Sequence, residues 1–444
     1  MRCSILALAS GAAAQSLQLA AGQSAQFLSS NPGGAIPAMV QAPSASGFMQ
    51  PTIQPSRGGL SVCVSGIVPV QVSTAMNMAF NFSVPDNQTG VTQTFVSMIS
   101  SGSPFMQQLM AGTQSVNGTY NISGTLCTPA NNTTPKTIEI LTHGIGFDRY
   151  YWDFAPGYSY VDVATQAGHA TFVTVPKFSL AVELTIHSFF YDRLGVGQSS
   201  KPDALTVQSP LELEILQFLI TKLKNGTLSN ITPTTIVGTG HSYGSVLVQG
   251  ITAKYPSSLN TAILTGFSVN STGSSAFVAA LNPAIASQNQ PLRFSGLSNG
   301  YLVSSTSISN QLAFLHAQNF DPNMLSLAEA TKGSVTFGEL FTETGVVAPA
   351  ANFTGSVAVV NGDSDLPFCT GNCSYPTNLA QAAITMLYPK TNVTGTYLAP
   401  LTGHGINLHY SAVAAYHYIQ TFIAKGTSSN GTSSNSTSSN STST

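Results

Sequence analysis

Charge is what this chain has least of. Lys and Arg number 14 and Asp and Glu 16, so charged residues make up 7% of the 444, where a soluble protein averages roughly 25%. The net charge of −2 leaves no basic stripe to grip a polyphosphate, so nucleic acid is an unexpected partner. No apolar run approaches the ~18–20 residues that span a bilayer, so no transmembrane segment is expected. Cysteine is scarce as well. Cys369 and Cys373 stand without a Cys/His pair at zinc-site spacing, and no metal is expected.

What the chain does have is apolar bulk: 43% hydrophobic residues and a mean hydropathy of +0.17 support a sizeable core. Its length suits one large α/β domain with an inserted cap, or two ordinary domains. A surface this poor in charge needs another source of hydrophilicity. Asn-x-Ser/Thr sequons begin at Asn81, Asn87, Asn117, Asn121, Asn131, Asn132, Asn225, Asn230, Asn270, Asn352, Asn372, Asn392, Asn430, Asn435 and Asn440. Glycans on half of them would supply it, so the chain reads as a secreted, extracellular glycoprotein. Residues 1–14 have the form of a short signal peptide, with Arg2, an apolar centre and Ala12-Ala13-Ala14 as cleavage site. Its removal takes Cys3 and leaves Cys63, Cys127, Cys369 and Cys373, which in an oxidising compartment are expected to pair as Cys63–Cys127 and Cys369–Cys373.

Along the chain, residues 15–60 are rich in Ala, Ser, Gln, Gly and Pro without period, and read as a disordered leader. The folded domain is expected over 61–425. Residues 138–147 form a strand running into His143-Gly144-Ile145-Gly146. Residues 190–199, Phe-Tyr-Asp-Arg-Leu-Gly-Val-Gly-Gln-Ser, complete a strand that the apolar run 173–189 interrupts after Phe172. Deleting that run joins Phe172 smoothly to Phe190, so it reads as a translated intron or other gene-model error. A helix is expected over 210–224, with apolar residues at 211, 215, 216, 219 and 223. From 267 to about 355 strand alternation stops and a mainly helical cap takes over. Phe277, Leu281, Phe314, Leu315 and Phe320 are its candidate pocket lining. Residues 426–444 are almost only Ser, Thr, Asn and Gly, a disordered tail.

The chemistry gathers round Gly240-His241-Ser242-Tyr243-Gly244. A β-branched run precedes it and small and apolar residues at helical spacing follow, the strand–turn–helix setting of a nucleophile elbow. Ser242 is the candidate nucleophile. The amide of Tyr243 and that of Ile145 are the candidate oxyanion donors. His143 is expected to orient its loop by hydrogen bonding rather than to act as base, and Asp192 and Arg193 to pin theirs. Two later strands end in acids and a histidine: Gly362-Asp363-Ser364-Asp365 and Gly403-His404-Gly405. His404 is the candidate base. Asp365 is the favoured acid, with Asp363 the alternative.

These motifs, in the order Ser, Asp, His, resemble those of the α/β-hydrolase superfamily over residues 136–425; in style the chain resembles secreted proteins of filamentous fungi. The resemblance implies an α/β-hydrolase fold: a mostly parallel central sheet flanked by helices, with an inserted cap. It also implies a serine hydrolase that needs no cofactor and cleaves small apolar carboxylic esters through an acyl-serine intermediate. Carbon–carbon bond hydrolases and lactonases use the same triad, and a non-catalytic glycoprotein could keep the fold; these stay open as alternatives.

Overall fold

The structure, a computed structural model, describes residues 42–129, 137–167, 186–228, 230–270 and 272–429. The expected signal peptide, residues 15–41 of the leader, 173–185 of the suspected insert and 430–444 of the tail lie outside the described residues.

A nine-stranded sheet organises the molecule, in the order β1-β2-β3-β5-β4-β6-β7-β11-β12. β4 (Thr137–Thr142), β5 (Ile186–Tyr191), β6 (Thr235–His241), β7 (Thr261–Thr265), β11 (Ser356–Gly362) and β12 (Thr394–Ala399) run parallel. Five of these six are buried along nearly their whole length, as strands covered on both faces must be. Glu139 breaks the rule inside β4. It is kept there by three donors: the Tyr160 and Thr239 hydroxyls at 2.5 Å and the Gln420 amide at 3.3 Å.

The other end of the sheet is antiparallel. β2 (Ser61–Phe80) and β3 (Met110–Pro129) make a long ribbon, and β1 (Met49–Pro55) pairs with β2. Two expectations need correcting here. Residues 49–55 lie in the sheet, so the ordered chain begins before 61; the strand is edge-placed and mostly exposed, which hid its period. Ile186–Phe189, assigned to the insert, belong to β5, because β4 offers partners to all six residues from Ile186 to Tyr191.

The helices follow their local signals. We number as α1 Gln88–Ile99, α2 Tyr160–Gln166, α3 Ser209–Lys224, α4 Tyr243–Lys254, α5 Ser274–Leu281, α6 Ser307–Phe314, α7 Pro322–Thr331, α8 Phe337–Thr342, α9 Leu379–Leu387 and α10 Ala412–Ser429. α3 starts with Pro210 in its first turn, where no amide partner is lost, and ends with Lys222 and Lys224 near the negative end of its dipole. α5 to α8 build the cap, together with a small antiparallel sheet of β8 (Ala284–Ile285), β9 (Tyr301–Val303) and β10 (Val335–Thr336). Among the described residues no helix is long and apolar enough to cross a membrane.

Cys63 and Cys127 face each other in the β2–β3 register and are joined as a disulfide; Cys369 and Cys373 form a second, within the loop after β11.

Candidate active site

Ser242 sits between β6 and α4 with φ 54° and ψ −120°, a conformation that a side chain rarely tolerates. Two glycines make the turn sterically feasible. A Cβ on Gly240 would lie 2.4 Å from the Gly244 backbone, and one on Gly244 would lie 2.0 Å from the Thr142 carbonyl oxygen. The strain therefore has a cause in packing: the elbow is pressed between β4 and its own helix.

Three side chains distant in sequence meet at this rim. The Ser242 hydroxyl lies 2.8 Å from His404 Nε2, and His404 Nδ1 lies 2.6 Å from Asp365 Oδ2. All three are buried. The other Asp365 oxygen accepts the Phe368 amide at 2.9 Å, fixing the carboxylate. Asp363, the alternative acid, is occupied elsewhere. It accepts the Leu401 and Thr402 amides at 2.9 and 3.1 Å and so shapes the loop that leads to His404. Tyr243 follows the serine directly and Ile145 follows Gly144, and neither amide has a hydrogen-bond acceptor among the described residues. A Cβ on Gly144 would come within 2.8 Å of Ser242 Cβ, which shows how close this loop runs to the serine.

A second line of groups holds the first. Arg193 donates its backbone amide to His143 Nε2 at 3.1 Å, so His143 carries its proton on Nδ1 and donates it to the Gly144 carbonyl at 2.8 Å. Burial, and then the positive charge of Arg193, push the His143 pKa well below the ordinary value. It orients the loop. The Arg193 guanidinium donates to Glu212 of α3 at 2.9 Å and to Glu339 of α8, and lies 4.5 Å above the Tyr243 ring. Tyr243 in turn donates its hydroxyl to Glu212 at 2.7 Å. One buried cation thus ties the His143–Gly146 loop, the helix after Ser242 and the base of the cap. Asp192 does the same for its own turn, accepting the Arg149 and Gln198 amides and pairing with the Arg149 guanidinium.

Two residues here had weak sequence signals. His409 lies just before α10. Its Nε2 accepts the amides of Gly403 and His316 at 3.1 and 2.9 Å, and its Nδ1–H donates to the Gly405 carbonyl at 2.9 Å. It therefore braces both sides of His404. Gly266, just after β7, has φ +55°, and a Cβ there would lie 2.8 Å from His241 and 3.0 Å from His404. A glycine directly after a core strand was the only signal available for it.

Of the expected cap lining, Phe277 and Phe314 reach the imidazole: their rings lie 5.6 and 6.1 Å from that of His404, and Phe368 lies at 5.8 Å. Leu281 is buried, Leu315 half-buried, and Phe320 packs instead against His409.

A mostly parallel sheet whose carboxyl edge gathers a strained serine, a histidine and an acid defines the class, and comparison with known proteins agrees. Residues 140–416 match the alpha/beta hydrolase family, and this chain belongs to it. No curated protein matches the chain. Among solved structures it is similar to a thermophilic esterase from Thermogutta terrifontis, with 15% identity over 69% of this chain and 94% of that one at a TM-score of 0.42. A soluble variant of monoglyceride lipase from Saccharomyces cerevisiae gives 12% identity, 69% and 93% coverage and a TM-score of 0.47. A monoacylglycerol lipase from Paleococcus ferrophilus gives 12%, 66% and 96%, and 0.43.

Proposed function

We propose that this protein is a secreted serine hydrolase that cleaves carboxylic esters through an acyl-Ser242 intermediate. The observation that carries the reading is the unbroken hydrogen-bonded line from Asp365 through His404 to Ser242. In it, His404 Nε2 takes the hydroxyl proton as Ser242 Oγ attacks the ester carbonyl. The oxygen that becomes anionic meets the free amides of Ile145 and Tyr243, the latter at the start of a helix, where partial positive charge gathers. The imidazolium, stabilised by Asp365, returns its proton to the leaving alcohol. Water then attacks the acyl group by the same route in reverse. No step calls for a cofactor.

The substrate class follows from the surroundings. Phe277, Phe314 and Phe368 enclose the imidazole, so an apolar acyl or alcohol group fits better than a charged one. Secretion is supported by the two disulfides and by the sequons. Each sequon asparagine among the described residues, from Asn81 to Asn392, is exposed or half-exposed.

A fluorophosphonate probe should label the wild-type protein covalently, and Ser242→Ala should abolish the label. A panel of p-nitrophenyl esters of rising chain length should then be hydrolysed, with a preference for uncharged acyl groups. Failure of the wild type to label would end the serine-hydrolase reading. Labelling without turnover of any ester would move the substrate to a lactone or a carbon–carbon bond.

A further inference from the structure

A cavity of about 760 Å³ opens away from Ser242, between the β2–β3 ribbon and the helices beneath it. None of the three residues of the hydrogen-bonded line contributes to it. On α4 its wall is Gly250, Ala253 and Lys254, roughly 12–18 Å from Ser242 at 1.5 Å per helical residue. Four methionines form the opposite wall: Met76 and Met78 from β2, Met106 from the short helical turn after α1, and Met110 at the start of β3. That concentrates four of the chain's ten methionines at one place. Met76 remains 57% exposed, an unusual position for so apolar a side chain with nothing packed over it. Its volume lies within the range of small-molecule sites.

We propose that this cavity is a second, non-catalytic binding site, for a single unbranched aliphatic chain ending in an anionic group. The lining decides the class. Methionine thioethers are flexible and polarizable, and mould themselves to a chain that itself bends. Phe341 and Leu213 close the apolar side. The one charged residue of the lining is Lys254. Its ammonium donates to Glu214 at 2.6 Å, and Glu214 is further held by the Tyr255 hydroxyl. An ammonium has three donors, so Lys254 keeps two for an incoming head group. The chain would lie among the methionines, with its head at Lys254. The site also touches the machinery indirectly: α8 offers Phe341 and Thr342 to the cavity while its Glu339 holds Arg193. The inference does not depend on which bond the protein cleaves.

The test uses the full glycosylated chain carrying Ser242→Ala, so that nothing is turned over, titrated with the fluorescent fatty acid cis-parinaric acid. We expect saturable binding of one probe per chain, displaced by decanoate. Displacement by 1-decanol should be weaker by about threefold, the size of effect a half-exposed ion pair gives, and Lys254→Met should remove that preference. Ala253→Phe and Thr344→Trp, at half-buried and exposed positions of the lining, should each weaken binding by about tenfold or more by filling the space. In the Ser242 background both should still hydrolyse p-nitrophenyl acetate, which shows that they fold. Absence of saturable binding would overturn the proposal. So would binding that both filling variants leave unchanged, since the probe would then sit at the active site, or equal displacement by acid and alcohol in the unfilled chain.

Discussion

The two ends of the nine-stranded sheet are held together by different means. At the parallel end, short strands stop at one edge, and the loops that leave them are fastened by buried polar contacts: Arg193 to Glu212 and Glu339, Asp363 to two amides, His409 to two more. At the antiparallel end, the β2–β3 ribbon is fastened by a disulfide and by aromatic packing, with Phe80 and Phe82 against Phe341 at 5.5 and 5.2 Å. The contrast follows from task. A carboxyl edge where strands converge can bring distant residues to one point, but only if each loop is held to a fraction of an ångström. A ribbon that brings no group to that rim can rely on one covalent link and on ring packing. Loss of a group in the hydrogen-bonded line itself should appear in rate, and loss of a fastening, at either end, in stability.

The largest effect expected is that of Asp365→Asn. An amide no longer stabilises the imidazolium or fixes its tautomer, so kcat should fall on the order of 10⁴-fold with little change in unfolding midpoint. Asp363→Asn, two residues away, should instead cost about 1–2 kcal/mol of stability, because it loosens the hydrogen bonds to Leu401 and Thr402. Equal losses of kcat in the two variants would erase the distinction between the acid and the loop clamp.

At the other end, Cys63→Ala with Cys127→Ala opens a link across a sequence separation of 64 residues. Chain-entropy reasoning puts the loss at about 4 kcal/mol. Denaturant titration should show it, while the protein that remains folded keeps its kcat/KM. A matching fall in kcat/KM would mean that the ribbon shapes the active site after all.

A pH titration sharpens the comparison within the parallel end. Burial lowers the His409 pKa to about 4, against roughly 6.5 in an unfolded chain. Between those values the unfolded chain binds a proton that the folded one refuses, so stability should fall as pH drops from about 6.5 to about 4, by about 3 kcal/mol at most. A protonated Nε2 could no longer accept the Gly403 and His316 amides. Glu212 works in the opposite direction. Burial raises its pKa against the pull of Arg193, so above about 4.5 the folded state keeps a proton that the unfolded state has lost. Its contribution should decline as pH rises above about 4.5. Denaturation midpoints across pH should flatten on the acid side in His409→Gln and on the alkaline side in Glu212→Gln. Unchanged curves in both would show that neither group titrates where its burial implies.

The same contrast explains what the sequence discloses. Motifs with rigid local demands are legible: the glycines at 240 and 244 are dictated by backbone approach, and the strand-ending acids and His404 by the edge they occupy. The elements that escaped are those whose meaning depends on a distant partner. β1 looks like leader because only pairing with β2 makes it a strand. Ile186–Phe189 look like part of an interruption because their partners, Thr137–Ile140, lie far off in sequence. His409 goes unmarked in the sequence because its value lies in two backbone amides that no spacing rule connects to it.

The smallest effect on catalysis should come from removing sequons, and the ribbon is where this can be tested most sharply. β3 pairs with β5 only over Gly124–Cys127, so the part of β3 before Asn121 leaves an edge of unpaired backbone groups. Proteins usually protect such an edge with charge, and this ribbon has almost none. Asn117 and Asn121 are both exposed and, four residues apart on a strand, lie on the same face. Glycans there would screen the edge that charge does not. Treatment with peptide N-glycosidase should therefore lower the mass of the protein expressed through a secretory pathway. Asn117→Gln with Asn121→Gln should leave ester kcat/KM within about twofold, since surface changes seldom exceed about 0.5 kcal/mol, while light scattering shows faster aggregation. A secreted chain whose mass is unaffected by the glycosidase would leave the ribbon edge bare, and another explanation would be needed for how so uncharged a surface stays dispersed.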